Sequence, residues 1–375
     1  MPTSGRKPHT SYGDLGLMTM TINGPLNAEN RGITNENEKK CSLKQNRTDI
    51  LGRGSEEYIL SLREGTLEAS TVNWIIPEPW VREWSFKNGG FFSSTQSTGT
   101  SCKLALISEN MQIQSDGTLE LINWADWSDN GFDFGTVSGQ EPTVAYDSTK
   151  DYFAYITPSG STSNPNVPVT THSSVGSALD VDISQQNFAV VVLCKPDGSG
   201  NKTLFNIGQQ TATGHFRLQL QGASNARVSV FTSGGETRTV DTVYTANEYS
   251  IIIGGSKDSS GTAFVRVNGE EKTISGTVNA CTDISCTSAA TNSQVLIGCG
   301  ETSTAYNRIA TNVEIYEVHY IVSDTVNNEF LSDLKKLEGS LARKYNMLDS
   351  LPAAHTYKTD PPYGSPIKQG ANRYG

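Results

Sequence analysis

Apolar and polar positions change places in short runs through most of this chain, and Gly, Asn, Asp and Ser cluster between the runs. Alternation at period two predicts half-buried strands. It reads most clearly at Phe216-Leu218-Leu220 and in the two interleaved sets Phe264-Arg266 and Val265-Val267, with one face buried and the other wet. Strands are predicted over 188–195, 203–207, 215–220, 227–231, 250–253, 262–267, 294–298 and 313–321. Asn268-Gly269 predicts a hairpin turn leading to a return strand at 271–274. So many short strands between turns predict a two-sheet sandwich.

A different period follows. Val326, Phe330, Leu334, Leu337, Leu341 and Tyr345 recur at helical spacing, with Ser323 or Asp324 as the cap and Asn346 as a left-handed stop. This predicts one amphipathic helix that closes the sandwich with its apolar stripe. Lys335, Lys336, Arg343 and Lys344 are placed on its solvated face.

The pattern is weaker before residue 170. Strands are predicted over 72–76, 103–108, 111–114, 119–124 and 152–157, and the linker Ser159 to Pro168 marks a boundary. All five tryptophans, at 74, 80, 84, 124 and 127, fall in this stretch. The division predicted is an extended arm (1–70), a small β domain (71–170), the sandwich (171–352) and a tail (353–375). The fold class is mainly β.

Composition narrows the function. The chain has 375 residues and a net charge of −10, which argues against nucleic acid as a partner. The acidic excess lies in 71–170, with eleven acidic residues against four basic. The longest apolar run, Phe188 to Cys194, is too short to span a bilayer, and residues 1–10 lack an apolar leader. Six cysteines show no metal-ligand spacing. Cys194 and Cys299 read as small buried hydrophobes, and Cys281 with Cys286 as the one pair placed to close a loop disulfide.

Catalytic patterns are missing. Gly-x-Ser-x-Gly and a phosphate loop are absent, and the five histidines are scattered. Glu314 and Glu317, offset by three, are expected on opposite faces of a strand and so cannot flank one glycosidic bond. His319 is read as a rim residue. Binding chemistry has more candidates. Tyr244, Tyr249, Tyr306 and Tyr320 are possible sugar-stacking platforms. Asp126, Ser128 and Asn130, ahead of Gly131, fit the first half of a calcium loop, although position twelve is Val137 and not Glu.

The closing segment resembles a known family. Glu314-Ile315-Tyr316-Glu317-Val318, then Val322-Ser323-Asp324, then Leu337-Glu338-Gly339-Ser340-Leu341-Ala342-Arg343-Lys344-Tyr345 is similar to the end of concanavalin A-like lectin/glucanase jelly-rolls of the laminin-G type. Leu351-Pro352-Ala353-Ala354-His355-Thr356-Tyr357-Lys358 resembles the tail of such domains in structural proteins of tailed phages, with Thr356 for the usual Pro and Asn346 for the usual Gly. The resemblance implies a non-enzymatic virion protein, a capsid decoration or a tail or fibre component, without a cofactor unless calcium binds. In that reading the polar residues 1–70, which share nothing with the family, attach the protein to other virion proteins and to its own copies. The alternative is a carbohydrate-binding adhesion or receptor-binding module that meets a host surface glycan. A bacterial surface or filament subunit is the third reading. Gly339, costly in a helix, is expected where the helix closely approaches the sheet, and His355 is expected to pack.

Overall fold

In the computed structural model the described residues lie between Thr100 and Thr359, without 114–118, 127, 129, 137–140, 149–151, 158–166, 172–176, 209–213, 233–234, 272–280, 282, 286–293, 302–305, 308–311, 324–325 and 327–329. The arm at 1–70, the strand predicted at 72–76 and most of the tail lie outside them.

The strands in chain order are β1 (Thr100–Ile113), β2 (Leu121–Asp126), β3 (Phe134–Gly135), β4 (Val144–Asp147), β5 (Tyr152–Ile156) and β6 (Val169–Thr171). They continue with β7 (Phe188–Lys195), β8 (Lys202–Ile207), β9 (Phe216–Gln221), β10 (Asn225–Thr232), β11 (Gly235–Val243) and β12 (Ser250–Ser256). Last come β13 (Ala263–Val267), β14 (Gln294–Ile297), β15 (Gly300–Glu301), β16 (Tyr306–Asn307), β17 (Glu314–Ser323) and the helix α1 (Phe330–Lys344).

All pairings are antiparallel. Hydrogen bonding runs β11-β10-β9-β8-β14-β6-β3-β2-β1-β17-β7-β12-β13, with β5 also on β17 and β4 on β5. This long sheet doubles over, so that β10 and β11 lie against β12 and β13. Leu218, Leu220, Val228 and Val230 from one layer meet Phe188, Val190, Val192 and Tyr320 from the other in the inter-sheet core. On the outer face of the β1-β17-β7-β12-β13 layer, Val191, Leu193, Ile251, Ile253 and Ile321 form a second core with the helix residues Phe330, Leu334, Leu337 and Leu341. The fold is therefore a mainly β sandwich with a helix laid on one sheet.

The structure corrects the sequence reading at several points. The described strands of the expected small β domain belong to the sandwich: β1 is hydrogen-bonded between β17 and β2, and Gly135 of β3 pairs with Val169 of β6. The reason is two-sided burial. Leu104 and Leu106 enter the inter-sheet core while Cys102 and Ala105 enter the helix core, so β1 is satisfied only inside a three-layer arrangement. Trp124, fully buried, donates from Nε1 to the Ile107 carbonyl and belongs to that inter-sheet core.

The helix begins at Phe330, so Val326 lies outside it and is half-buried. Ser323 does not cap it either. The Ser323 hydroxyl is held by the Asn187 backbone, accepting from its N–H at 2.8 Å. Tyr345 follows the last helical turn, fully buried, and Asn346 takes φ of 51° as the stop. Nor is the second face of the alternating strands wet. Arg217, Gln219 and Ser229 are buried, Gln219 donating to the Ser229 hydroxyl. Arg266 is buried as well and forms a two-pronged ion pair with Glu338 of the helix, at 3.1 and 2.8 Å.

That pair organises the chain end. His355 Nε2 lies 3.3 Å from the same Glu338 carboxylate. Burial works against ionisation of Glu338, but His355 and Arg266 more than compensate and hold its carboxyl below the ordinary range. Gly339 does lie at a close approach, though the partner is the tail and not the sheet: a methyl there would sit 2.5 Å from Tyr357 Cβ. Asn268 and Gly269 form the expected turn, both at positive φ, whereas 272–274 of the return strand fall outside the described residues. Cys194 and Cys299 are buried, as expected, and Cys281 is a buried free thiol that burial pushes up to about 12. Cys286 lies outside the described residues.

Candidate functional site

One bulge creates the most polar region of the helix-side face. Along β17 the register against β7 slips between Ile315 and Glu317, and the extra residue, Tyr316, turns onto the helix side. Glu317 then faces that side too. The expectation that Glu314 and Glu317 point to opposite faces fails for this reason: Glu314 accepts a hydrogen bond from the Tyr316 phenol at 2.6 Å, and Glu317 accepts one from Tyr345 at 2.8 Å.

The inner part of the cluster is sealed. Glu317 is fully buried and meets Lys344 Nζ at 2.6 Å and His319 Nε2 at 2.8 Å. Lys344 also lies over the rings of Tyr152, at 4.6 Å, and Tyr345, at 5.1 Å. His319 is therefore no rim residue, and Lys344, 6% exposed, is not on a solvated helix face. A buried carboxylate with a cation and two further partners is a structural network, satisfied from within.

The outer part reaches solvent. Asp147, at the end of β4, accepts through Oδ2 from the phenols of Tyr249 and, at 3.1 Å, of Tyr316. Tyr249 and Tyr316 pack at 5.5 Å between ring centroids. Lys195, at the end of β7, lies 3.4 Å from Glu314 and 5.6 Å from the Tyr249 ring centre. The side chains of Lys195 and Glu314 are 33% and 29% exposed, and Tyr249, Asp147 and Tyr152 are half-buried. Burial foremost, then the hydrogen bond to Glu314 and the charges of Glu314 and Asp147, raise the Tyr316 phenol far above its usual range. It stays a neutral donor. The result is a rim of aromatic surface, two acceptor carboxylates and one ammonium, carried on four strand ends.

This arrangement suits binding better than hydrolysis. A glycosidase pair leaves room for the scissile bond between its carboxyl groups. Here the Tyr316 hydroxyl lies between both carboxylates, its one proton shared between Glu314 at 2.6 Å and Asp147 at 3.1 Å, and fills that space.

Of the three expected tyrosine platforms whose side chains are described, only Tyr249 is brought to this rim. Tyr244 is buried beside the inter-sheet core, its hydroxyl 3.4 Å from the Gly222 carbonyl, and burial pushes its phenol up to about 12. Tyr320 is fully buried, stacked on Phe205 with its hydroxyl on the Leu179 carbonyl. Both point inward because the inner face of each strand takes the large apolar body. The backbone of Tyr306, in β16, pairs with Glu301 of β15, and the Tyr306 side chain is outside the described residues.

The calcium half-loop has another use. Asp126 accepts from the Ala105, Ser128 and Phe132 backbone N–H groups and from the Ser128 hydroxyl, filling both oxygens. Asn130 turns its amide nitrogen to the Lys103 carbonyl at 2.8 Å. This carboxylate pins the loop to β1. Among the described residues no cluster of His, Cys, Asp and Glu is grouped as metal ligands are.

Sequence reasoning missed Asp147, Tyr152, Lys195 and Tyr316. The hairpin of β4 and β5 carried a signal in its aromatic residues, Tyr146, Tyr152, Phe153 and Tyr155. Tyr316 required knowledge of the bulge, which has no sequence mark.

No family model matches the chain, and no curated protein does. Among solved structures it is similar to a Trypanosoma rangeli sialidase in complex with sialic acid, at 14% identity and TM-score 0.38 over 63% of this chain and 32% of that one. It is also similar to the binding domain of botulinum neurotoxin DC in complex with rat synaptotagmin II, at 12% identity and TM-score 0.40 over 64% and 52%. A third is the CBM40 of Ruminococcus gnavus IT-sialidase bound to α2,3-sialyllactose, at 13% identity and TM-score 0.31 over 41% and 90%. The chain thus spans about a third and about a half of the length of the first two structures. Likeness at this level carries no information about a ligand.

Proposed function

We propose that this protein is a non-catalytic carbohydrate-binding module, with the half-exposed Tyr249 rim as its sugar-contacting face. One observation carries the reading: an accessible tyrosine ring is flanked by Asp147, Glu314 and Lys195, so that stacking and hydrogen bonding converge on one spot. Sugars present C–H faces that pack on aromatic rings and hydroxyls that donate to carboxylates. A glycan array probed with the whole chain tests the reading. Retention of defined saccharides, abolished by Tyr249→Ala, is expected; no retention with or without calcium would sink it.

The wider setting, a virion protein that displays this module, is proposed from the closing motif. Its anchor would be residues 1–70, outside the described residues. Deleting them is expected to stop incorporation into particles, and unchanged incorporation would refute it.

A further inference from the structure

We infer that the saccharide taken at the Tyr249 rim is neutral or amino-bearing, and that sialylated and other acidic glycans are discriminated against. The inference rests on the proposed sugar-binding role of this rim. Its basis is the imbalance of charge and of hydrogen-bonding sense around the ring. Asp147 and Glu314 present carboxylate oxygens, which only accept. Both already draw in the phenols of Tyr249 and Tyr316, so the oxygen lone pairs that remain favour hydroxyl or ammonium groups of a ligand.

Among the described residues, the cations nearest the rim are already paired with carboxylates. Lys195 stands 3.4 Å from Glu314, which offsets its charge. Lys344, next in line along the cluster, is 6% exposed and lies 2.6 Å from Glu317. Arg266 is committed to Glu338 on the helix core. Arg217 and Arg227 are buried on strands β9 and β10 of the other sheet. Among the described residues the rim thus carries two carboxylates, Asp147 and Glu314, against one ammonium, Lys195, within a chain of net charge −10. A ligand carboxylate brought within a few ångström of that excess loses about fivefold in affinity per unit charge in water-like surroundings.

The test measures dissociation constants of the whole chain for lactose, 3′-sialyllactose, an N-acetylglucosamine tetramer and its fully deacetylated counterpart, at low ionic strength. The same titrations are made with Asp147→Asn. Lactose is expected to bind at least about fivefold more tightly than 3′-sialyllactose, and the deacetylated tetramer at least as tightly as the acetylated one. Asp147→Asn is expected to narrow the first gap. Equal or tighter binding of 3′-sialyllactose overturns the inference while leaving the sugar-binding role in place. A gap that Asp147→Asn does not narrow also overturns it, because the discrimination then lies elsewhere. If none of the four saccharides binds, the inference falls, and the sugar-binding role falls with it where the glycan array is also blank.

Discussion

Glu338 sits within reach of the Arg266 guanidinium and the His355 ring while wholly removed from water. Removing one partner of such a pair leaves the other charge buried and uncompensated, which costs about 3–5 kcal/mol. Glu338→Gln is therefore expected to lower unfolding free energy by that order, read by urea denaturation. The pH dependence has a definite sign. The folded carboxyl is held below its ordinary value of 4.5, so its stabilisation is complete above that value and is lost as pH falls through the depressed one. Glu338→Gln should flatten the acid limb of a stability–pH profile. A second position is governed by contact alone: a methyl at Gly255 would stand 2.0 Å from the Phe188 carbonyl oxygen in β7. Gly255→Ala is expected to break the β7–β12 pairing and abolish cooperative thermal unfolding. At this scale the sequence was legible for packing and opaque for polarity. Leu334 and Phe216 declare themselves by spacing, whereas nothing near His319 announces that Glu317 waits beside it.

Among elements, the helix and β17 show where periodicity suffices and where it stops. Phe330, Leu334, Leu337 and Leu341 form the stripe that the spacing predicts, all fully buried against the sheet. Leu334→Ala is expected to cost about 2–5 kcal/mol in denaturation free energy. Val326 fits the same spacing and yet lies before the helix, because the chain is still leaving β17, where Ser323 is tied to Asn187. The bulge at Tyr316 has a larger consequence. One extra residue re-aims the rest of β17, which is how a tyrosine and two glutamates come to share a face that strict alternation would divide. A sequence read at period two cannot register this.

For the whole molecule, the decisive feature is that β1 to β6 are part of the sandwich. Their strands flank β17 and fill positions between β8 and β1, so a fragment of residues 171–352 would lack Asp147 and Tyr152 and expose β17 along one edge. That fragment is expected to give a poorly cooperative melt, whereas Trp84–Pro362, a compact unit by its internal contacts, is expected to unfold in one transition. The closing helix was readable from its spacing. The membership of β1 in the sandwich was not, because its pairing with the distant β17 leaves no local pattern. The Tyr249 rim depends on this assembly, since its side chains come from β4, β7, β17 and the approach to β12. The most direct test is isothermal titration of the whole chain and Tyr249→Ala with the tightest array glycan, alongside their thermal melts. A dissociation constant at least about tenfold weaker is expected for Tyr249→Ala, with both proteins still folded at the titration temperature. Equal affinity for the two proteins would contradict the sugar-binding role of the rim.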